Sequence, residues 1–94
     1  MSEPSDDTGI ITVLAERLVE QRLPKLEFLK AQLDRGEVLT DNDINFLKQV
    51  LADAQGNKAL IERNPEVQGI AGQVLHLYKE IMDKAVENEK NRES

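Results

Sequence analysis

The chain contains no cysteine and no tryptophan, and its single histidine is His76. Without thiols there are no disulfides, no thiolate metal sites and no cysteine nucleophile. One histidine falls short of the several convergent ligands that zinc and iron sites ordinarily need. Three serines, Ser2, Ser5 and Ser94, all lie in the terminal segments. Aromatics are confined to Phe28, Phe46 and Tyr78. Long apolar runs are missing as well: no stretch approaches the ~18–20 residues that span a bilayer. The opening Met1-Ser2-Glu3-Pro4-Ser5-Asp6-Asp7 has neither the basic region nor the apolar region of a signal peptide. The expectation is a cytoplasmic protein with no membrane partner.

The charge also lacks concentration. Eighteen acidic and 12 basic residues give a net charge of −6 over 94 residues. Residues 1–35, 36–64 and 65–94 each contribute −2. An even acidic excess solvates a surface and opposes nucleic-acid binding, which needs clustered Lys and Arg to displace counterions from phosphates. Large apolar residues are nevertheless present: Val, Ile, Leu and Phe number 27, well above the roughly 20% below which a chain cannot bury enough surface to fold.

Those residues recur with helical period and nowhere alternate as in a half-buried strand. The pattern predicts an all-α fold, a small antiparallel three-helix bundle with helices over about 8–35, 41–63 and 65–89. A single domain over 8–89 is flanked by polar tails at 1–7 and 90–94, with fraying expected from about residue 88. In the first helix Ile11, Leu14, Leu18, Leu26, Leu29 and Leu33 form a slowly drifting stripe. Pro24 lies on the opposite side, where a proline bends a helix; the alternative is two helices with Pro24 at the start of the second. Arg35-Gly36 supplies a basic last turn and a glycine suited to a left-handed cap.

Thr40-Asp41-Asn42-Asp43 reads as a capping box with aspartate in the glutamate position, and Leu39 and Ile44 have the spacing of a hydrophobic staple. The buried stripe that follows is Ile44, Leu47, Val50, Leu51, Ala54 and Ile61. Gly56-Asn57 either ends this helix or only weakens it. Asn64-Pro65-Glu66 starts the third helix. There Val67, Ile70, Ala71, Val74, Leu75, Leu77, Tyr78, Ile81, Met82, Ala85 and Val86 cover half of the helical wheel, enough for two neighbours. Glu80 and Lys84 have the spacing of an ion pair.

No chemistry-bearing motif survives inspection. Asp41-x-Asp43-x-Asn45 imitates the opening of a calcium loop, but Phe46 and Ala52 stand where that loop needs glycine and glutamate. A capped helix start accounts for all of these residues. His76 falls on the polar side of its helix, and Glu16 and Glu20 have the spacing of an ordinary solvated face. The sequence asks for no catalytic residue, no cofactor and no metal.

Gly69 and Gly72 are the exception to local helix logic, since together they cost roughly 1–2 kcal/mol of helix propensity. Close approach of another backbone would compensate: the first helix, a second copy or a partner. Phe28, Leu60 and Leu77 sit at or beyond the margins of the buried stripes, as do Leu23 and Phe46. The expectation is therefore a non-enzymatic helical protein that works by protein–protein contact, as a homodimer, through Phe28, Leu60, Gly69, Gly72 and Leu77. An acidic, antitoxin-like regulator of a basic partner and a small-molecule sensor with an interhelical pocket are the alternatives.

Overall fold

The computed structural model describes residues 4–93, with side chains over 8–92. Most of the described residues are helical, with no strand among them. The helices are α1 (Pro4–Arg17), which continues through a π-turn (Leu18–Arg22) into α2 (Leu23–Asp34), then α3 (Asp41–Gly56), α4 (Lys58–Arg63) and α5 (Pro65–Glu93). This is a small all-α bundle. Its extents are 62 × 20 × 20 Å and its radius of gyration is 15.5 Å, against roughly 12 Å for a compact chain of this length. Among the described residues no helix is long and apolar enough to cross a membrane.

Proline governs the first helical run. Pro24 has no N–H to give to the Glu20 carbonyl, and its ring crowds that oxygen. The five residues just before Leu23 are wound as a π-turn, with the Leu23 N–H donating to the Leu18 carbonyl. The helical run thus continues past Pro24. The wider turn has a second effect. Eight residues of ideal α-helix would leave Leu26 about 80° around the axis from Leu18. A π-turn advances by fewer degrees per residue and unwinds that offset. The buried side chains Ile11, Leu14 and Leu18 before it, and Leu26, Leu29 and Leu33 after it, thereby share one line.

The turn after α2 is a Schellman motif. Gly36 has φ +90°, its N–H donates to the Leu33 carbonyl at 2.9 Å, and the Glu37 N–H donates to the Gln32 carbonyl at 3.4 Å. Only glycine adopts that φ without steric cost. Four residues later the Thr40 box forms: Thr40 Oγ1 accepts from the Asp43 N–H at 3.1 Å and Asp43 Oδ2 accepts from the Thr40 N–H at 3.0 Å.

Chain direction follows from the contacts. Asn88 on α5 donates from Nδ2 to the carbonyls of Leu33 and Glu37, both at 2.8 Å, so the C-terminal ends of α2 and α5 lie together. Those two helices are the most closely packed pair, with Leu26, Leu29, Leu33 and Ile81 fully buried. On α3, Ile44 shares a groove with Val86 and Asp53 meets Arg22 further back, so α3 returns along the pair.

Three boundaries and one burial differ from the sequence expectation. The first helix starts at Pro4, not near residue 8; of the tail expected over 1–7, residues 1–3 lie outside the described residues. The 41–63 helix is divided at Asn57, where a single residue with φ −106° and ψ 12° separates α3 from α4. The Asn57 side chain donates to the Asp53 carbonyl at 2.7 Å and competes with helical continuation. At the other end α5 runs to Glu93, past the expected 89, and Ser94 lies outside the described residues. Asn88, placed in a fraying segment by sequence, is 5% exposed.

On α5 the half-buried Lys84 pairs with Glu87 at 2.9 Å, and Glu80, expected to pair with Lys84, faces His76. The hydrogen bond and charge of Glu87 raise the Lys84 pKa above its ordinary value. This contribution is in place below the unfolded-state pKa and is lost as pH rises through the raised one, so it is constant near neutrality.

Removing the buried Asn88 amide leaves the Glu37 carbonyl without that donor. Asn88→Ala is expected to lower unfolding stability by about 1–3 kcal/mol, read as a reduced urea midpoint with unchanged slope. A loss below about 0.5 kcal/mol would show that water replaces the amide.

Candidate functional site

Two surface features stand apart from the core. The first is a cleft of about 220 Å³ between α1 and its π-turn, the end of α3, α4 and the start of α5. Leu14 and Leu18 form one wall, Val50 and Ile61 another, and Val74 a third. Ala54 and Ala71 also line it, and their single methyl groups leave the space that larger side chains would fill.

Charged groups border the apolar walls: Arg22 and Lys58 with Asp53 and Glu62. The π-turn carries Arg22, which is the more buried partner in its ion pair, its side chain 15% exposed against 36% for Asp53. Arg22 Nη2 bonds Asp53 Oδ2, and the guanidinium carbon lies 5.6 Å from the centroid of the Phe46 ring. Lys25 Nζ is 5.2 Å from the same centroid. Phe46 is therefore half-buried under two cations, a favourable arrangement because the ring face is electron-rich. Arg22 Nε is buried and has no hydrogen-bond partner, and an unsatisfied buried donor costs about 1–3 kcal/mol.

The second feature is a seam of exposed apolar side chains. Leu75, Met82 and Val86 recur at seven- and four-residue spacing along α5, and Ile44 and Leu51 at seven-residue spacing along α3. These five are between 36% and 51% exposed. Ile44 and Val86 border one groove with Leu39 and Ala85, while Leu75 lies at the edge of the cleft. The seam thus extends along α5 from the cleft to the beginning of α3. Sequence periodicity assigned all five residues to buried stripes. The signal for their exposure was the breadth of the α5 face, wider than the neighbours within one chain can cover.

The residues singled out by sequence fall elsewhere. Phe28 projects outward from α2 at 63% exposure. Leu60 and Leu77 pack half-buried against the core cluster, as do Leu23 and Phe46. A charge introduced at Leu77 would therefore perturb folding as well as any association. Gly69 and Gly72 are exposed, and a Cβ added at either meets nothing within 4 Å. The first helix is thus not the backbone that approaches them; their open sides face away from the chain's own atoms.

His76 is exposed, with Nε2 3.3 Å from Glu80 Oε2. Asp43 bonds the Thr40 N–H as a cap. Among the described residues no group of three or more His, Asp or Glu side chains is placed to hold a metal ion. No family model, no curated protein and no solved structure matches the chain.

The Arg22–Asp53 pair joins the π-turn to α3, so a double-mutant cycle of Arg22→Met and Asp53→Asn is expected to give a coupling of about 1 kcal/mol in urea unfolding. A coupling below about 0.3 kcal/mol would show that solvent screens the pair completely.

Proposed function

We propose that the protein is a non-enzymatic, cytoplasmic helical module that works by protein–protein contact and pairs with a second copy of itself. The observation that carries this reading is the seam of Ile44, Leu51, Leu75, Met82 and Val86, five large apolar side chains left in water on adjoining helix faces. Contiguous exposed apolar surface of this kind is characteristic of interaction sites. A second copy is the favoured partner because two-fold pairing is the commonest oligomeric arrangement and needs a self-complementary patch.

Both the apolar spacing and the charges of α5 support such pairing. In a two-fold antiparallel arrangement centred between Leu75 and Val86, each of those residues meets the other's counterpart. Lys79 and Asp83, four residues apart and 3.0 Å from each other, border the seam on its outer side. The two-fold operation sets each near its opposite in the second copy, which favours the antiparallel sense. Gly72, one turn before Leu75, has no Cβ to hold off an approaching backbone.

An acidic regulator of a basic partner has less support, because several acidic groups are engaged with nearby cations. Lys30–Asp34, Lys79–Asp83 and Lys84–Glu87 are examples.

Sedimentation equilibrium tests the pairing. The protein is expected to approach twice its 10.6 kDa mass above about 100 µM, in the weak range set by a seam of this size. Met82→Glu is expected to remain monomeric with unchanged helical circular dichroism, and Phe28→Glu to associate normally. A monomer at every concentration would sink the reading.

A further inference from the structure

We propose, resting on the pairing described above, that Met82 is a modification site through which hydrogen peroxide controls that pairing, the sulfoxide form holding the two copies apart.

The chain offers peroxide few targets. Cysteine thiolates are a usual point of attack, and there is no cysteine. Thioether sulfur remains, at Met1 and Met82 alone. Met1 lies outside the described residues. Met82 is 37% exposed on α5, so a small oxidant has access to this side chain in the unpaired chain.

Its place in the seam gives oxidation a consequence. Met82 comes seven residues after Leu75 and four before Val86, so of the three it stands nearest the centre of the two-fold arrangement. There the Met82 side chains of the two copies are offset by only about 4–5 Å along the helices. Side chains at the centre of an interface, desolvated on association, carry most of its strength. The core side of α5 runs through Val74, Ile81 and Ala85. Met82 lies off that line, so its oxidation alters the seam and leaves the core packing in place.

The chemistry is a two-electron oxygen transfer. A sulfur lone pair attacks one peroxide oxygen, an S–O bond forms and the O–O bond breaks. The proton on the transferred oxygen passes to the leaving hydroxide, which departs as water. Sulfur is oxidised and the peroxide reduced. The sulfoxide is polar and needs a hydrogen-bond donor when it is buried. The side chains of Ile44, Leu51, Leu75 and Val86 have none to give, and Lys79, one turn before Met82, is engaged by Asp83 at 3.0 Å. Pairing would bury two sulfoxides, one from each copy, in an association that is weak at the outset.

The test treats the intact protein with hydrogen peroxide, locates the added oxygen by peptide mass spectrometry and follows association by sedimentation equilibrium. Oxygen is expected on Met82, with pairing weakened at least about tenfold and helical circular dichroism unchanged. Methionine sulfoxide reductases with a thiol reductant should restore pairing. Met82→Leu keeps the apolar volume and should pair as well after peroxide as before it, and Met82→Gln should stay monomeric without any oxidant. Unchanged association after oxidation of Met82 would overturn the proposal, as would dissociation of peroxide-treated Met82→Leu, loss of helicity on oxidation or a Met82 that takes up no oxygen. A protein monomeric before treatment would instead overturn the pairing itself, and this control with it.

Discussion

The bundle depends on one buried amide. Asn88 reaches from the last third of α5 into the turn that ends α2 and gives its two N–H groups to the Leu33 and Glu37 carbonyls. Leu33 is also the acceptor for the Gly36 N–H, so the amide fastens onto a turn already closed by a left-handed glycine. Buried polar groups restrict a helix pair to the register in which their partners are present, because any shift leaves them unsatisfied. The alternative registers of a leucine-rich interface are not penalised in that way. With α2 and α5 held, the chain between them has little freedom: Thr40 caps α3 a few residues beyond Gly36, and α3 returns along the pair. In a body 62 Å long and 20 Å across, such ties matter, since the core is a line of side chains without depth.

Proline and the π-turn set the other end. Leu18 and Leu26 are both buried because the helix is unwound between them. The same turn carries Arg22 inward, where its charge is met by Asp53 and its face by Phe46. π-turns within helices are frequent at functional positions, and this one borders the cleft. The cleft itself owes its volume to alanine at positions 54 and 71. A solution to a backbone problem at Pro24 and two small side chains together shape this apolar-walled concavity.

The seam has a different origin. Helix α5 is apolar over half its circumference, while α2 covers one side of it and α3 lies along another. Leu75, Met82 and Val86 fall beyond both. Their exposure is a property of how many helices the chain supplies, which is why the proposed pairing places a further copy there. Cleft and seam meet at Leu75.

Local physics settled the helical class, the Thr40 box, the Gly36 turn and the start of α5 at Pro65. Each depends on interactions within a few residues, and each was legible in the letters. The end of α3 at Gly56 was less so, because it coincides with a side-chain bond from Asn57 to the Asp53 carbonyl that glycine propensity does not encode. Periodicity located the apolar faces but not their occupants. Ile44, Leu51, Leu75, Met82 and Val86 have the pattern of core residues, whereas Leu60 and Leu77, on the stripe margins, are the ones that pack. A wheel records the direction of a side chain from its axis; burial also requires a neighbour at that direction and distance. The number, spacing and register of neighbouring helices decided that, through Asn88, the π-turn and Arg22–Asp53. The sequence by itself determined which segments are helices, and the tertiary structure alone decided which apolar residues remain in water.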